Sequence, residues 1–98
     1  MLWYCRFTWH PGTTAQQVRR RVIEQHDAGT NHPEKIRGWY NLAGGGAGFL
    51  LIEARDPREL NEIIQPYMNL MSFDVHAIYE LPYDETIKAF RQQVQHTA

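Results

Sequence analysis

The sequence predicts a single α+β domain in which two helices pack on one side of a four-stranded antiparallel sheet. Three observations carry this. Residues 2–10, 36–42, 49–54 and 73–81 are short runs rich in aromatic and aliphatic residues and bounded by Pro, Gly or polar loops. One stretch of helical apolar spacing separates the first run from the second, and another separates the third from the fourth. Gly44, Gly45 and Gly46 join the second and third runs, which marks a hairpin. Strand, helix, hairpin, helix, strand then gives βαββαβ order, and at 98 residues and 43% hydrophobic the chain has material for one core only.

In the first strand Trp3, Cys5, Phe7 and Trp9 alternate with Tyr4, Arg6, Thr8 and His10, and Pro11 and Gly12 end it. Thr13 with Gln16, or Thr14 with Gln17, offers a capping box for a helix that places Ala15, Val18 and Val22 on one face, with Gly29 as its stop. Ile36 to Leu42 and Phe49 to Ala54 form the hairpin. Asp56, Pro57 and Glu59 then spell a second helix start, with Asp as N-cap, Pro in the first turn and Glu reaching back. Leu60, Ile63, Ile64, Tyr67 and Met68 supply its buried stripe. Phe73 to Leu81 is the fourth strand, and after Pro82 a last helix, opened by Asp84, carries Ile87, Phe90 and Val94. The expected division is a sheet-and-helix unit over residues 1–81 and a helical extension over 82–98.

Alternation along the strands assigns Trp3, Cys5, Phe7, Trp9, Leu50, Ile52, Phe73, Val75, Ala77 and Tyr79 to the face under the helices. The opposite face receives Tyr4, Arg6, Thr8, His10, Arg37, Trp39, Asn41, Phe49, Leu51, Glu53, Asp74, His76, Ile78 and Glu80. A solvated sheet face is mainly polar, whereas Tyr4, Trp39, Phe49, Leu51 and Ile78 make an apolar patch that needs a cover. A second copy of the sheet is the simplest one, so a homodimer is expected. The last helix is the competing cover.

Eleven acidic residues balance ten basic ones, so no strong field for nucleic acid is expected. Arg19 to Arg21 reads as a solvated helix face, and Gly44 to Gly46 lacks the Lys and Ser or Thr of a phosphate loop. No run approaches the roughly 18 apolar residues of a membrane span, and the first ten residues lack a signal-peptide layout. With Cys5 as the single cysteine, a reducing compartment is expected and the cytoplasm is the default.

Gly48 to Glu53, Asp56 with Pro57, and Phe73 to Val75, together with Met1, Leu2, Pro11 and Gly12, resemble the small bacterial proteins grouped as domain of unknown function 3303. The resemblance covers residues 1–81. It implies the dimeric α/β-barrel superfamily, in which two ferredoxin-like subunits pack sheet against sheet. That superfamily includes cofactor-free monooxygenases, muconolactone isomerase, haem-binding enzymes and plain ligand binders. Muconolactone isomerase is similar in length and carries a basic residue at the place of Arg6, but no complete catalytic set matches.

The residues themselves suggest a pocket between helix-free faces, with apolar walls around a few polar groups. Arg6 and Arg37 could hold a carboxylate or phenolate, beside Tyr4, Trp39 and Asp74. The structural alternative for Arg6 is a pair with Glu53 on a neighbouring strand taken as parallel. Glu53 and His76 are the proton-transfer candidates, with Asp74 beside them, and a satisfied polar network is their structural alternative. No two of the five histidines sit at i, i+4 or i, i+2, so no metal is implied, and haem on His76 gains no support. No cofactor is expected. The two functional readings are a cofactor-free isomerase or monooxygenase acting on a small anionic or aromatic metabolite, and a non-catalytic ligand-binding or dimer-forming protein.

Overall fold

The computed structural model describes residues 1–97. The elements run β1 (Leu2–Trp9), α1 (Ala15–Asp27), β2 (Ile36–Asn41), β3 (Ala47–Glu53), α2 (Pro57–Ile64), β4 (Met71–Ile78) and α3 (Tyr83–Thr97), with single 3-10 turns at Pro33–Lys35 and Gln65–Tyr67. The four strands form one sheet in the order β2-β3-β1-β4, and every neighbouring pair is antiparallel. This is the ferredoxin-like α+β fold expected from the element order.

Local chemistry explains the boundaries. Thr14 caps α1 with a complete capping box: its hydroxyl accepts from the Gln17 backbone N–H, and the Gln17 side chain accepts from the Thr14 N–H. Asp56 caps α2 by accepting from the Glu59 N–H at 2.9 Å. Glu59 does not reach back as the sequence pattern suggested. Its carboxylate lies instead 2.9 Å from Lys35 Nζ and 2.8 Å from Arg55 Nε, tying the start of the hairpin to α2. The stripe expected through Tyr67 and Met68 also stops short, because Pro66 has no N–H to continue the helix. The hairpin loop needs glycine: Gly44, Gly45 and Gly46 all have φ between 78° and 96°. β4 starts two residues earlier than expected and ends at Ile78, not Leu81. α3 begins at Tyr83, one residue before Asp84.

The core lies between the sheet and α2. Cys5, Ile52, Ala54, Leu60, Ile63 and Ile64 form one buried cluster, and Phe7, Leu70 and Met71 form a second. α1 contributes no buried residue, although Val18 packs on the second cluster. One helix is therefore clamped to the sheet and the other stands off it. α3 adds no residue to either buried cluster, and its Tyr83 and Phe90 are exposed. The radius of gyration is 17.6 Å, against about 13 Å for a compact chain of this length. The long dimension is 57 Å.

Candidate functional site

The register of the sheet decides which expected site residues meet. On the helix-free face the rings of Tyr40, Phe49 and Tyr4 form a ladder across three strands, with centroids 4.8 Å and 5.3 Å apart. Leu51 and Ile78 are half-buried beside it. Arg6 lies opposite Phe49 on β3 and Asp74 on β4, and His76 lies opposite Tyr4. His76 Nε2 is 3.0 Å from Asp74 Oδ1. Tyr4, Arg6, Asp74 and His76 are thus gathered along the β1–β4 half of the face.

Glu53 is not with them. Because β1 and β3 are antiparallel, Glu53 faces Leu2 and not Arg6, and four rungs separate the two charges, about 13 Å along a strand. The Glu53 carboxylate holds the Met1 amino group at 2.7 Å. The Arg6–Glu53 pair, the structural alternative for Arg6, is therefore overturned, and Glu53 stands apart from His76, the other proton-transfer candidate.

Trp39 and Arg37 also move. The β2–β3 register shifts between Ile36 and Gly38, leaving Arg37 as the extra residue of a bulge. Beyond the bulge, parity is reversed: Trp39 pairs with Leu50 on the helix side, and Tyr40 takes its place on the helix-free face. Gly38 permits this, since a Cβ there would lie 2.7 Å from the Tyr40 ring.

On the helix side, the stand-off of α1 opens a cavity of about 700 Å³ against the sheet. Phe7, Trp9, Trp39, Leu50 and Phe73 form its sheet wall, and Val18, Val22 and Ile23 form its α1 wall. No carboxylate lines it; its ionisable residues are Arg19, His26 and Tyr67. Arg19 and His26 share a face of α1 with Ile23. The Tyr67 hydroxyl donates to Asn31 Oδ1, and burial pushes its pKa above the ordinary phenol value against the opposing pull of Asn31 and Arg21. Asn31 Nδ2 donates to the Val22 carbonyl, fixing this loop to α1. Arg21 donates to the Pro66 carbonyl and to Asn69 Oδ1, fixing α1 to the turn after α2. The buried Trp9 Nε1 has no acceptor among the described residues.

This arrangement suits a compact apolar or aromatic molecule with an acceptor or anionic end. The walls supply area, and the cationic and amide groups set orientation. The sequence reading missed the cavity. Its signal was the small size of the inward α1 residues, Ala15, Val18 and Val22, facing large aromatics on the sheet. Among the described residues, no three His, Cys, Asp or Glu side chains gather as metal ligands, and no helix is long and apolar enough to cross a membrane.

A family model described as domain of unknown function (DUF3303) matches residues 1–94. The chain belongs to that family. The match runs through most of α3, beyond the residues 1–81 on which the sequence resemblance rests. No curated protein matches the sequence significantly. Among solved structures, this DUF3303 chain is similar to 5-chloro-2-hydroxyhydroquinone dehydrochlorinase from Burkholderia phenoliruptrix AC1100 in complex with 2,5-dihydroxybenzoquinone. The identity there is 23%, covering 83% of this chain and 96% of that one, with a TM-score of 0.58. Muconolactone isomerase is similar at 18% identity, 85% and 93% coverage and a TM-score of 0.60. These likenesses establish the ferredoxin-like α+β fold for the DUF3303 chain.

Proposed function

We propose that this protein is a homodimer that binds a small aromatic or unsaturated anionic metabolite in the cavity under α1 and transforms it without a tightly bound organic cofactor, as an isomerase or monooxygenase. The observation that carries the reading is the cavity itself: about 700 Å³, in the range of small-molecule sites, aromatic-walled and free of lining carboxylates. Arg19 anchors the charged end, and Trp9 Nε1 supplies a donor to an acceptor atom brought to it. His26 is the imidazole in the lining, so it is the group to move a proton. The neighbours with this fold include an isomerase and a dehydrochlorinase solved with a benzoquinone, which supports a ring-bearing ligand class.

A second reading is favoured by the clustering of Arg6, Asp74 and His76 beside Tyr4 on the helix-free face. Enclosed by a partner subunit, that cluster would form a polar pocket with His76 as base, while Glu53 and Arg37 would stand at its margin. Trp39 belongs to the first site in either case.

The test is a thermal-shift panel of hydroxylated aromatics, quinones and unsaturated carboxylates on wild type, Val22→Trp and Arg6→Ala. Ligand at 100 times its Kd stabilises by about 2.7 kcal/mol. The cavity reading expects hits on wild type and Arg6→Ala that vanish in Val22→Trp, where the indole fills the site. Hits lost in Arg6→Ala and kept in Val22→Trp would transfer the site to the sheet face. No hits on any variant would leave a non-catalytic, dimer-forming protein.

A further inference from the structure

We infer that Arg21 is a positioning residue that sets the height of α1 above the sheet and so holds the cavity open, acting through two acceptors in the segment after α2 without touching the occupant. The inference deepens the cavity reading above and rests on it. Three observations carry it. First, α1 buries no residue of its own, and its contact with a core cluster is the partly buried Val18, so close apolar packing does not fix where the helix lies. Second, polar ties run along one of its edges. Arg21 Nη1 donates to the Pro66 carbonyl and, at 2.7 Å, to Asn69 Oδ1. Asn31 Nδ2 donates to the Val22 carbonyl at 3.1 Å, and Asn31 Oδ1 accepts from the Tyr67 hydroxyl. Pro66, Tyr67 and Asn69 all belong to the segment joining α2 to β4. Third, the other edge is the open one: Ile23 on α1 and Trp39 on the edge strand β2 both line the cavity, and each is 58% exposed.

Helical spacing explains the asymmetry. Arg21, Val22 and Ile23 follow one another at steps of about 100° round the helix, so with Val22 toward the sheet, Arg21 and Ile23 take opposite flanks. The hydrophobic effect pulls α1 downward, because closing the gap would take Val22, Ile23 and Trp39 out of water. A polar tie resists that pull only if its reach is fixed. Arginine meets the condition: its planar, always charged fork binds a backbone carbonyl and a side-chain amide oxygen together, which sets both direction and distance. Arg21 is absent from the cavity lining, so its influence on an occupant passes through the position of α1. Its acceptors do not depend on it for solvation in the same degree, since Asn69 is exposed and water can replace the guanidinium there. Removing the tie therefore costs little stability while releasing the helix to settle, and ligand binding and stability part company.

Calorimetric titration of 2-naphthoate, an aromatic carboxylate, into wild type, Arg21→Met, Arg21→Lys and Asn69→Ala tests this. A second measurement needs no ligand: the rate at which a thiol reagent labels Ile23→Cys, with Arg21 intact and with Arg21→Met added, the native Cys5 being buried. The expected dissociation constant is at least about tenfold weaker in Arg21→Met, near wild type in Arg21→Lys, which keeps a donor for both acceptors, and intermediate in Asn69→Ala. Arg21→Met should also slow labelling of Ile23→Cys, as α1 settles toward Trp39, at a melting temperature no lower than that of wild type. Unchanged affinity and labelling in Arg21→Met would overturn the inference and leave the cavity reading standing. Weaker binding with faster labelling would also overturn it, since α1 would then swing away and Arg21 would be a tether, not a spacer. Slowed labelling in a protein whose wild type binds no 2-naphthoate would overturn the ligand reading and keep Arg21 as the residue that positions α1.

Discussion

Cys5 sits at the centre of β1 with no exposed surface, between the sheet and α2. Burial pushes its thiol from 9.0 up to about 11, so at pH 8 it is neutral and unreactive. An aromatic disulfide reagent should label it only after unfolding; rapid labelling of the native protein would contradict its burial. The linkage has a definite sign. Below pH 9 the thiol is protonated in both states and its contribution is complete. Between about pH 9 and 11 the unfolded chain loses the proton first, so stability falls by up to about 1.4 kcal/mol per pH unit. Cys5→Ala should cost about 1 kcal/mol at neutral pH through lost packing, yet show a shallower alkaline decline than wild type in denaturant titrations.

At the scale of the elements, two short signals hold the fold, and both can be broken singly. Asp56→Ala removes the acceptor of the Glu59 N–H and should cost about 1 kcal/mol, measured as a shift in denaturation midpoint with unchanged slope. Gly48→Ala acts through space: the new Cβ would overlap the Tyr40 carbonyl oxygen and come within 2.6 Å of the Phe7 ring. Neither a strand backbone nor a core ring can retreat freely, so a loss of about 1–3 kcal/mol is expected. An unperturbed Gly48→Ala variant would show that β2 and β3 do not pair in this register. Glu59 links the hairpin to α2, and its carboxyl is held below the ordinary range, first by the hydrogen bond from Lys35. That contribution is present above the ordinary carboxylate pKa and is lost as pH falls through the lowered value, so Lys35→Met should flatten the acid limb of the stability curve.

For the whole molecule, the proposed homodimer, motivated by the exposed aromatic ladder of the sheet, predicts that stability depends on association. The melting temperature of wild type should rise with protein concentration, as mass action requires of a dimer. A concentration-independent wild-type melt would argue for a self-sufficient monomer.

Sequence alone determined the βαββαβ order, the parity of β1, β3 and β4, the capped starts of α1 and α2, and the family to which the chain belongs. These depend on residues close in the chain: alternation, side-chain oxygens at N-caps and glycine in the hairpin loop. Where the reading failed, the deciding contact was between distant segments. The bulge at Arg37 exists because β2 must pair with β3, and a one-residue slip carried Trp39 to the helix side and Tyr40 to the other. The antiparallel direction of β1 and β3 parted Arg6 from Glu53, and the Met1 amino group took the carboxylate instead. The cavity is the difference between how closely α1 and α2 approach the sheet. No single residue encodes that distance; it follows from small side chains on one helix meeting large ones on three strands.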